Sequence, residues 1–402
     1  MTQRLLDREK EEELQSMYAS LSRTCKCLEP LRQKFEEHVK KAGLTAVVTL
    51  LGEEGNNSLD PKAYIDTLLE VCCRYSGFVT RIFGGETGFV ASLDKVCREF
   101  VNRNAVTGSS MTKSPELLIK HADALLRKNN KMTEWDLEAA LSDAMVLFKY
   151  IEDKDIFQNF YYTKLSKRLF HGISASDESE ASMISELKEA CGFEYIQKLQ
   201  KMFTDISLSK NLTDEFNEHM QTHDEMNMNF SIMVLGSNSW PLSAPKGDFI
   251  IPPEIIRTYD HFLGYFQTKH SGRQLTWLWN HSTNKLRMNY LNQKYILMTN
   301  FKSKKTRISL NRPIKAEVKA DSSELSQTVE KDRKHTLEAT VVRIMKARKT
   351  LKIQPLIQEV VSQLSQRFTP KIPDIKIVIN ELLDREYIQR MDGITDAFEY
   401  VA

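Results

Sequence analysis

Glycine and proline are scarce in this chain, at 15 and 11 of 402 residues. Few positions therefore interrupt a helix, and long helices are allowed. No apolar run approaches the roughly 20 residues that cross a bilayer, so no membrane segment is expected. The start, M-T-Q-R-L-L-D-R-E-K-E-E-E, is charged and lacks the apolar centre of a secretory leader, which makes an intracellular protein the expectation. A surplus of one charge is missing too. The formal net charge is +2, too small to draw the whole molecule onto nucleic acid or an anionic membrane. The six cysteines are Cys25, Cys27, Cys72, Cys73, Cys97 and Cys191, and their C-x-C and C-C spacings do not make the two pairs of a structural zinc site. A chain of this length needs no disulfides to build a core, so reduced and mostly buried thiols are expected.

Signatures of catalysis are absent as well. Gly84, Gly85 and Gly88 lack the Lys-Ser/Thr that completes a phosphate-cradling loop, and read as a turn. His219 and His223 stand four apart, but no Glu follows His219, so they read as a solvated helix end rather than a metal site. There is no Gly-x-Ser-x-Gly elbow, and no cysteine sits in a catalytic signature. The reading is a protein with no active site, no metal and no cofactor of its own.

What is present is periodicity. Apolar residues make up 41% and charged residues 27%, the balance of a folded protein with real cores. Leu14, Met17, Tyr18 and Leu21 recur at helical spacing, as do Tyr64, Leu68 and Val71. Breaks are expected at Gly52–Ser58 and Gly84–Gly88. Ser114, Pro115 and Glu116 read as a helix start with Ser114 as the cap. Leu118, Ala122, Leu125 and Leu126 line one face of that helix. Leu137, Leu141, Ala144, Met145 and Phe148 line the next, and Ile156, Phe157, Phe160, Tyr161 and Leu165 another. A further helix opens at Ser176 or Asp177, and amphipathic helices with short joints imply a bundle.

Near residue 230 the period changes to two. Phe230, Ile232 and Val234 alternate, then Leu275, Trp277 and Trp279, then Leu286, Met288 and Tyr290, then Tyr295 and Leu297. A helix carrying Ile256, Tyr259, Leu263 and Phe266 intervenes, so a small antiparallel meander packed on a helix is expected. Residues 301–320 are strongly basic and 321–334 polar, the latter reading as a linker. Helices over about 335–349, 353–366 and 373–385, then a hairpin through Asp392-Gly393, make the order of a winged helix.

The terminal stretch V-V-R-I-M-K-A-R-K (Val341–Lys349) resembles the neddylation motif of the cullin family, with the modified lysine at Lys346. L-S-Q-R-F-T-P-K-I-P-D-I-K, E-Y-I-Q-R and the closing E-Y-V-A are similar too. Upstream, F-K-Y-I-E-D-K-D, S-A-S-D-E-S-E-A-S-M-I-S, A-C-G-F-E-Y and H-S-G-R-Q-L-T-W resemble the C-terminal half of an SCF-type, cullin-1-like member, in the family's order. The resemblance implies a mainly α fold with a smaller α+β part. Residues 1–112 would be the end of a third helical repeat, 113–225 a four-helix bundle, 226–312 the α/β cullin-homology domain, 313–334 a linker and 335–402 a winged helix. It also implies a non-catalytic scaffold of a ubiquitin ligase, found in cytoplasm and nucleus. The implied partners are a RING-finger subunit, a ubiquitin-conjugating enzyme held through that RING, the neddylation machinery with its ubiquitin-like modifier, the deneddylating signalosome and the cullin exchange factor.

The implied contact with the RING subunit is strand addition, placed at Phe230, Ile232, Val234, Leu275, Trp277 and Trp279, because an open sheet edge offers unpaired N–H and C=O groups. For the two tryptophans a plain core role fits the alternation equally well. On a helical wheel Lys346 points away from Val341, Ile344 and Met345, which exposes its amine. Arg343, Arg348 and Lys349 beside it would disfavour its charged form and attract an acidic modifying enzyme. Two departures from the family stand out. The earlier repeats that bind substrate adaptors are not in this sequence, so no adaptor binding is expected. Asn300 also runs straight into Phe301 where the family carries several dozen more residues resembling an internal winged helix. The competing reading is a winged-helix nucleic-acid binder, opposed by the near balance of charge after residue 336.

Overall fold

The computed structural model describes residues 2–8, 10–23, 28–54, 59–108, 112–128, 132–221, 230–242, 253–290, 293–300, 315–391 and 396–401. They divide into two compact units, Met1–Ile196 with Lys319–Ala402, and Gln197–Val318. As the composition requires, the chain is mainly helical. Among the described residues there are fourteen α-helices and five short strands.

The first unit opens with α1 (Thr2–Asp7), α2 (Glu11–Leu21), α3 (Glu29–Glu54), α4 (Pro61–Phe83) and α5 (Thr87–Asn102). α4 starts where Asp60 accepts from the Lys62 N–H with Pro61 in the first turn, and stops at Gly84, whose φ of 61° is left-handed. Its buried face meets Phe35 of α3 and Phe89 of α5 in an aromatic cluster, with Phe83 stacked on Phe89 at 3.9 Å. α3 can approach α5 this closely because Gly43 lies on it. A Cβ there would fall 2.8 Å from the Phe100 ring. No break falls at Gly52, since α3 runs on to Glu54, and the rest of the expected break, 55–58, lies outside the described residues.

Four further helices follow, α6 (Lys113–Leu125), α7 (Glu134–Tyr150), α8 (Lys154–His171) and α9 (Asp177–Cys191). Ser176 caps α9 by accepting from the Ser179 N–H, as its sequence position suggested. Ser114 does not cap α6. The cap position is Thr112, and Ser114 is the second residue of the helix and buried, donating to the Val101 carbonyl at 2.6 Å and paired with the Tyr64 hydroxyl at 2.9 Å. Its hydroxyl is spent on tertiary structure, so none is left for the helix end.

The remainder of this unit is a winged helix. α12 (Lys315–Arg348), whose residues from Lys319 lie in this unit, is followed by β3 (Thr350–Lys352), α13 (Ile353–Leu364), α14 (Ile372–Asp384), β4 (Ile388–Arg390) and β5 (Ala397–Tyr400). The sheet order is β3-β5-β4, all antiparallel, with Leu351 opposite Phe398 and Gln389 opposite Glu399. β3 was not expected. Three residues carry no legible alternation, and it exists because β5 pairs on both edges. The expected linker over 313–334 is helical from Lys315 onward. Its polarity suggested a coil, but no Gly or Pro interrupts it, and Ala, Glu, Lys, Ser and Leu are compatible with helix. Asp392-Gly393 of the expected wing turn lies outside the described residues.

The second unit holds most of α10 (Phe193–Gln221), with α11 (Pro253–Lys269) and a hairpin of β1 (Thr283–Tyr290) and β2 (Gln293–Asn300). Leu286 faces Leu297 and Met288 faces Tyr295 in that hairpin. Of the expected antiparallel meander, the described residues show the β1–β2 hairpin. Phe230–Leu235 and Gln274–Leu278 are not hydrogen-bonded into any ladder among the described residues, and Trp279 lies in a 3-10 turn with His281. The basic stretch 301–312 lies outside the described residues, as do Cys25, Cys27 and His223.

Candidate functional site

Lys346 sits near the end of α12. Toward the core, α12 presents Leu337, Val341, Ile344 and Met345, packed against Leu356 and Val360 of α13 and Ile375 and Val378 of α14. The opposite face carries Lys346, which is exposed and makes no hydrogen bond or ion pair with any described residue. The helix ends two residues on, at Arg348. Lys349 adopts a left-handed φ of 65°, its N–H bonds the Met345 carbonyl at 2.8 Å, and its own carbonyl accepts from Tyr400 N at 2.8 Å. A non-glycine residue in that region is uncommon, and here the pairing with β5 holds it. The lysine is thus presented on a helix end anchored to the sheet.

The three neighbouring cations are each drawn to another group. Arg343 donates to Gln363 Oε1 at 2.8 Å, Arg348 lies 3.5 Å from Glu359, and Lys349 Nζ stands 5.3 Å from the Tyr400 ring centroid. The basic setting foreseen for Lys346 is therefore partly engaged with the domain itself.

Farther along, the same domain is fastened to the helices before it. Arg333 of α12 reaches Asp153 at 2.9 Å and Asp155 at 2.5 and 2.7 Å, and its guanidinium lies 4.7 Å from the Phe368 ring centroid. The Asp155 N–H also bonds the Arg367 carbonyl at 3.3 Å. Burial pushes the Asp153 carboxyl above the usual carboxylate range, although Arg333 pulls the other way. Sequence reading missed this clasp, since its partners are 178 residues apart.

In the second unit, Phe230, Ile232, Val234, Leu275 and Trp277 all pack onto one apolar cluster with Leu212, Phe216, Met220, Phe262 and Phe266. Trp277 and Trp279 stack at 5.5 Å, and the Tyr259 ring lies 4.8 Å from each. The six side chains singled out for strand addition are thus brought together. They are half-buried and directed inward, and Ser231, Met233, Gln274 and Thr276 between them are exposed.

The backbone of the first segment is tied to α10. Ser209 Oγ accepts from Val234 N at 2.9 Å, and its proton is shared between the Val234 carbonyl at 3.0 Å and the Asp205 carbonyl at 2.6 Å. Thr213 Oγ1 accepts from Ile232 N at 3.2 Å and donates to its carbonyl at 3.0 Å. Asn217 Nδ2 donates to the Phe230 carbonyl at 3.2 Å. Asp205 Oδ2 accepts from Gly236 N at 2.8 Å and from Trp240 Nε1 at 2.9 Å. None of these four residues was singled out in the sequence. The available signal was a short polar side chain at every fourth position of one helix.

At these places lie an exposed primary amine and an unladdered segment with one side on an apolar cluster. Two family models match the chain. Residues 1–213 match the family model described as the cullin alpha solenoid domain, and residues 332–393 match that of the cullin protein neddylation domain. The chain belongs to the cullin family. Among individual relatives it is 40% identical to Cullin-1 of Dictyostelium discoideum, an alignment covering 100% of this chain and 61% of that protein. It is 39% identical to Cullin-1 of Schizosaccharomyces pombe, covering 99% and 61%, and 34% identical to Cullin-1 of Caenorhabditis elegans, covering 99% and 60%. The chain thus spans about three-fifths of the length of the curated relatives it matches.

Proposed function

We propose that this chain is the part of a cullin scaffold that holds a RING-finger subunit and accepts a ubiquitin-like modifier on Lys346. The observation that carries the reading is Lys346 itself, exposed and unpaired among the described residues, within the matched neddylation domain. Its amine, once it has given up a proton, attacks the carbonyl of the modifier's thioester. The amide C–N bond forms, the C–S bond breaks, and the thiol of the partner enzyme leaves carrying a proton. Arg343, Arg348 and Lys349 surround it as a supporting basic face. The RING subunit adds a strand against Phe230–Leu235 and Gln274–Trp279, whose inward side chains Phe230, Ile232, Val234, Leu275 and Trp277 already rest on a core. The RING in turn holds the charged ubiquitin-conjugating enzyme. The signalosome and the exchange factor act on the same scaffold, in cytoplasm and nucleus.

The region layout proposed for this scaffold is the end of a helical repeat, a four-helix bundle, an α/β domain and the winged helix. The alignment to the Dictyostelium relative extends over 475 positions against 402 residues here, which supports an internal segment present there and missing from this chain.

The test is conjugation in the presence of the modifier's own enzymes. The wild-type chain gains one modifier, and Lys346→Arg gains none, because arginine keeps the charge but cannot form the isopeptide bond. A conjugate that persists on Lys346→Arg removes the site from this position.

A further inference from the structure

We infer that Asp205, Ser209, Thr213 and Asn217 of α10 are positioning residues that stand in for a neighbouring strand, holding Phe230–Gly236 extended so that its other backbone edge is offered to the partner. The inference rests on the strand-addition reading above and assigns the residues that make the edge available.

The argument begins with two repeats that nearly coincide. Four residues of α-helix rise about 6.0 Å. Two residues of extended chain rise about 6.6–6.8 Å. Polar side chains at every fourth helix position can therefore meet every second residue of an extended segment lying antiparallel to the helix. That order is observed: 205 with 236, 209 with 234, 213 with 232, and 217 with 230. The mismatch grows with each rung, and four helix residues overshoot a full turn by about 40°, so such a ladder stays in register for only a few steps. The side chains must also be short. At Gly236 the approach is close enough that a Cβ would sit 3.3 Å from Asp205 Oδ2.

Ser209 and Thr213 are the informative rungs. Each hydroxyl accepts from the N–H and stands within donor reach of the carbonyl of one residue, the two contacts a paired strand would make. Thr213 donates to Ile232, while the single proton of Ser209 is shared between the Val234 carbonyl at 3.0 Å and the Asp205 carbonyl of its own helix at 2.6 Å. Both lie in the interior, at 2% and 9% exposed. Without them the N–H and C=O of Ile232 and Val234 on this edge would have no partner among the described residues.

The two polar groups of one strand residue point to the same edge, and the next residue points to the opposite edge. With 230, 232, 234 and 236 turned to α10, the N–H and C=O of Ser231, Met233 and Leu235 face away. Among the described residues none of these three has a backbone partner. Slippage by one residue would turn this edge inward and move Phe230, Ile232 and Val234 off the core. The ladder and the apolar cluster thus specify the same register, and the ligand class that completes it is an extended peptide segment pairing through its backbone.

The test uses the full chain with two probes, a RING subunit bearing an extended N-terminal segment and the same subunit without that segment. Thr213→Val keeps the shape and removes the hydroxyl, and Ser209→Ala removes the next rung. Each is expected to weaken capture of the intact subunit about tenfold, and the pair about a hundredfold. Thr213→Ser should restore capture. Amide exchange at Ile232 and Val234 should accelerate in the two disrupting variants while α10 keeps its protection, which separates lost positioning from lost folding. If Thr213→Val loses that protection of α10, Ser209→Ala and Thr213→Ser carry the comparison by the same two readouts. Capture of the intact subunit by the double variant within twofold of wild type overturns the ladder and leaves strand addition standing. Equal capture of both probes by the wild-type chain overturns strand addition itself, and the ladder with it.

Discussion

Two regions of the first unit solve the same packing task in opposite ways. Helices α6, α8 and α9 enclose a charged cluster. Arg168, fully buried, bonds Asp123 at 2.6 Å and Glu180 at 2.6 and 2.9 Å, while Ser174 and Tyr161 donate to Glu180 at 2.9 and 3.2 Å. Burial alone would lower the basicity of Arg168, and the bonds and charge of Glu180 reverse that. The winged helix at the chain's end buries an apolar set, with Thr340 the only buried polar residue among those described there. The first region gains a unique arrangement from partners that must all be present. The second gains stability from volume and shape, and tolerates change better. The terminal domain keeps its polar fastening outside its core, at Arg333.

The contrast is broken most severely in the charged region. Glu180→Ala leaves Arg168 buried without its main partner, and loss of one member of a buried pair costs about 3–5 kcal/mol. Denaturant unfolding, read by amide exchange in α6, α8 and α9, should register that loss. A concerted Asp123→Leu, Arg168→Met, Glu180→Leu variant should regain much of it, because a packed apolar core avoids the desolvation of three charges. If Glu180→Ala costs no more than a surface change, the cluster is not specifying the bundle.

In the terminal domain the largest effects come from cavities. Leu356→Ala, fully buried at the centre of the winged helix, should cost about 3 kcal/mol. The loss should be confined to α12, α13 and α14, with the protection of α6, α8 and α9 unchanged. A matching loss in both regions would mean that they unfold as one.

Arg333→Met tests the fastening between them. It removes charged hydrogen bonds to Asp153 and Asp155 from a side chain 25% exposed, and each bond to a charged group contributes about 1.5–3 kcal/mol. The expected result is faster exchange around the 367–368 turn and the start of α8, with little change in the winged-helix core. Unaltered exchange there would leave the clasp without an energetic role.

Different parts of this architecture were legible to different depths. The helices around Leu137, Leu141 and Phe148 announced themselves because one apolar stripe faces one core. The winged helix did the same through its three helices and closing hairpin. Arg168 did not, since it follows Lys164 and Lys167 in the last turns of α8, where the run of cations looks solvated. Only the arrival of Asp123 from α6 and Glu180 from α9 makes it an interior residue. The alternation at Phe230, Ile232 and Val234 correctly marked an extended segment with one buried face. Its pairing could not be read, because the role of a neighbouring strand falls to α10. Ser209, Thr213 and Asn217 look like an ordinary polar helix face until the segment is laid against them. The polar 315–334 stretch misled in the other direction, reading as coil where nothing in it forbids a helix.

The smallest structural effect belongs to the residue with the largest proposed consequence. Lys346→Arg exchanges one exposed cation for another on a helix whose opposite face does the packing, and such surface changes usually stay within about 0.5 kcal/mol. Unfolding and amide exchange should therefore match the wild type, while conjugation of the modifier is lost. Met345→Ala, one residue away, should do the reverse. It opens a cavity beneath the helix and should cost about 2–5 kcal/mol, yet it leaves the acceptor amine in place. At a temperature where Met345→Ala remains folded, it should still be conjugated. The pair separates presentation from stability: if Lys346→Arg destabilises the domain as much as Met345→Ala does, loss of conjugation reports unfolding, and the assignment of the amine to this position loses its support.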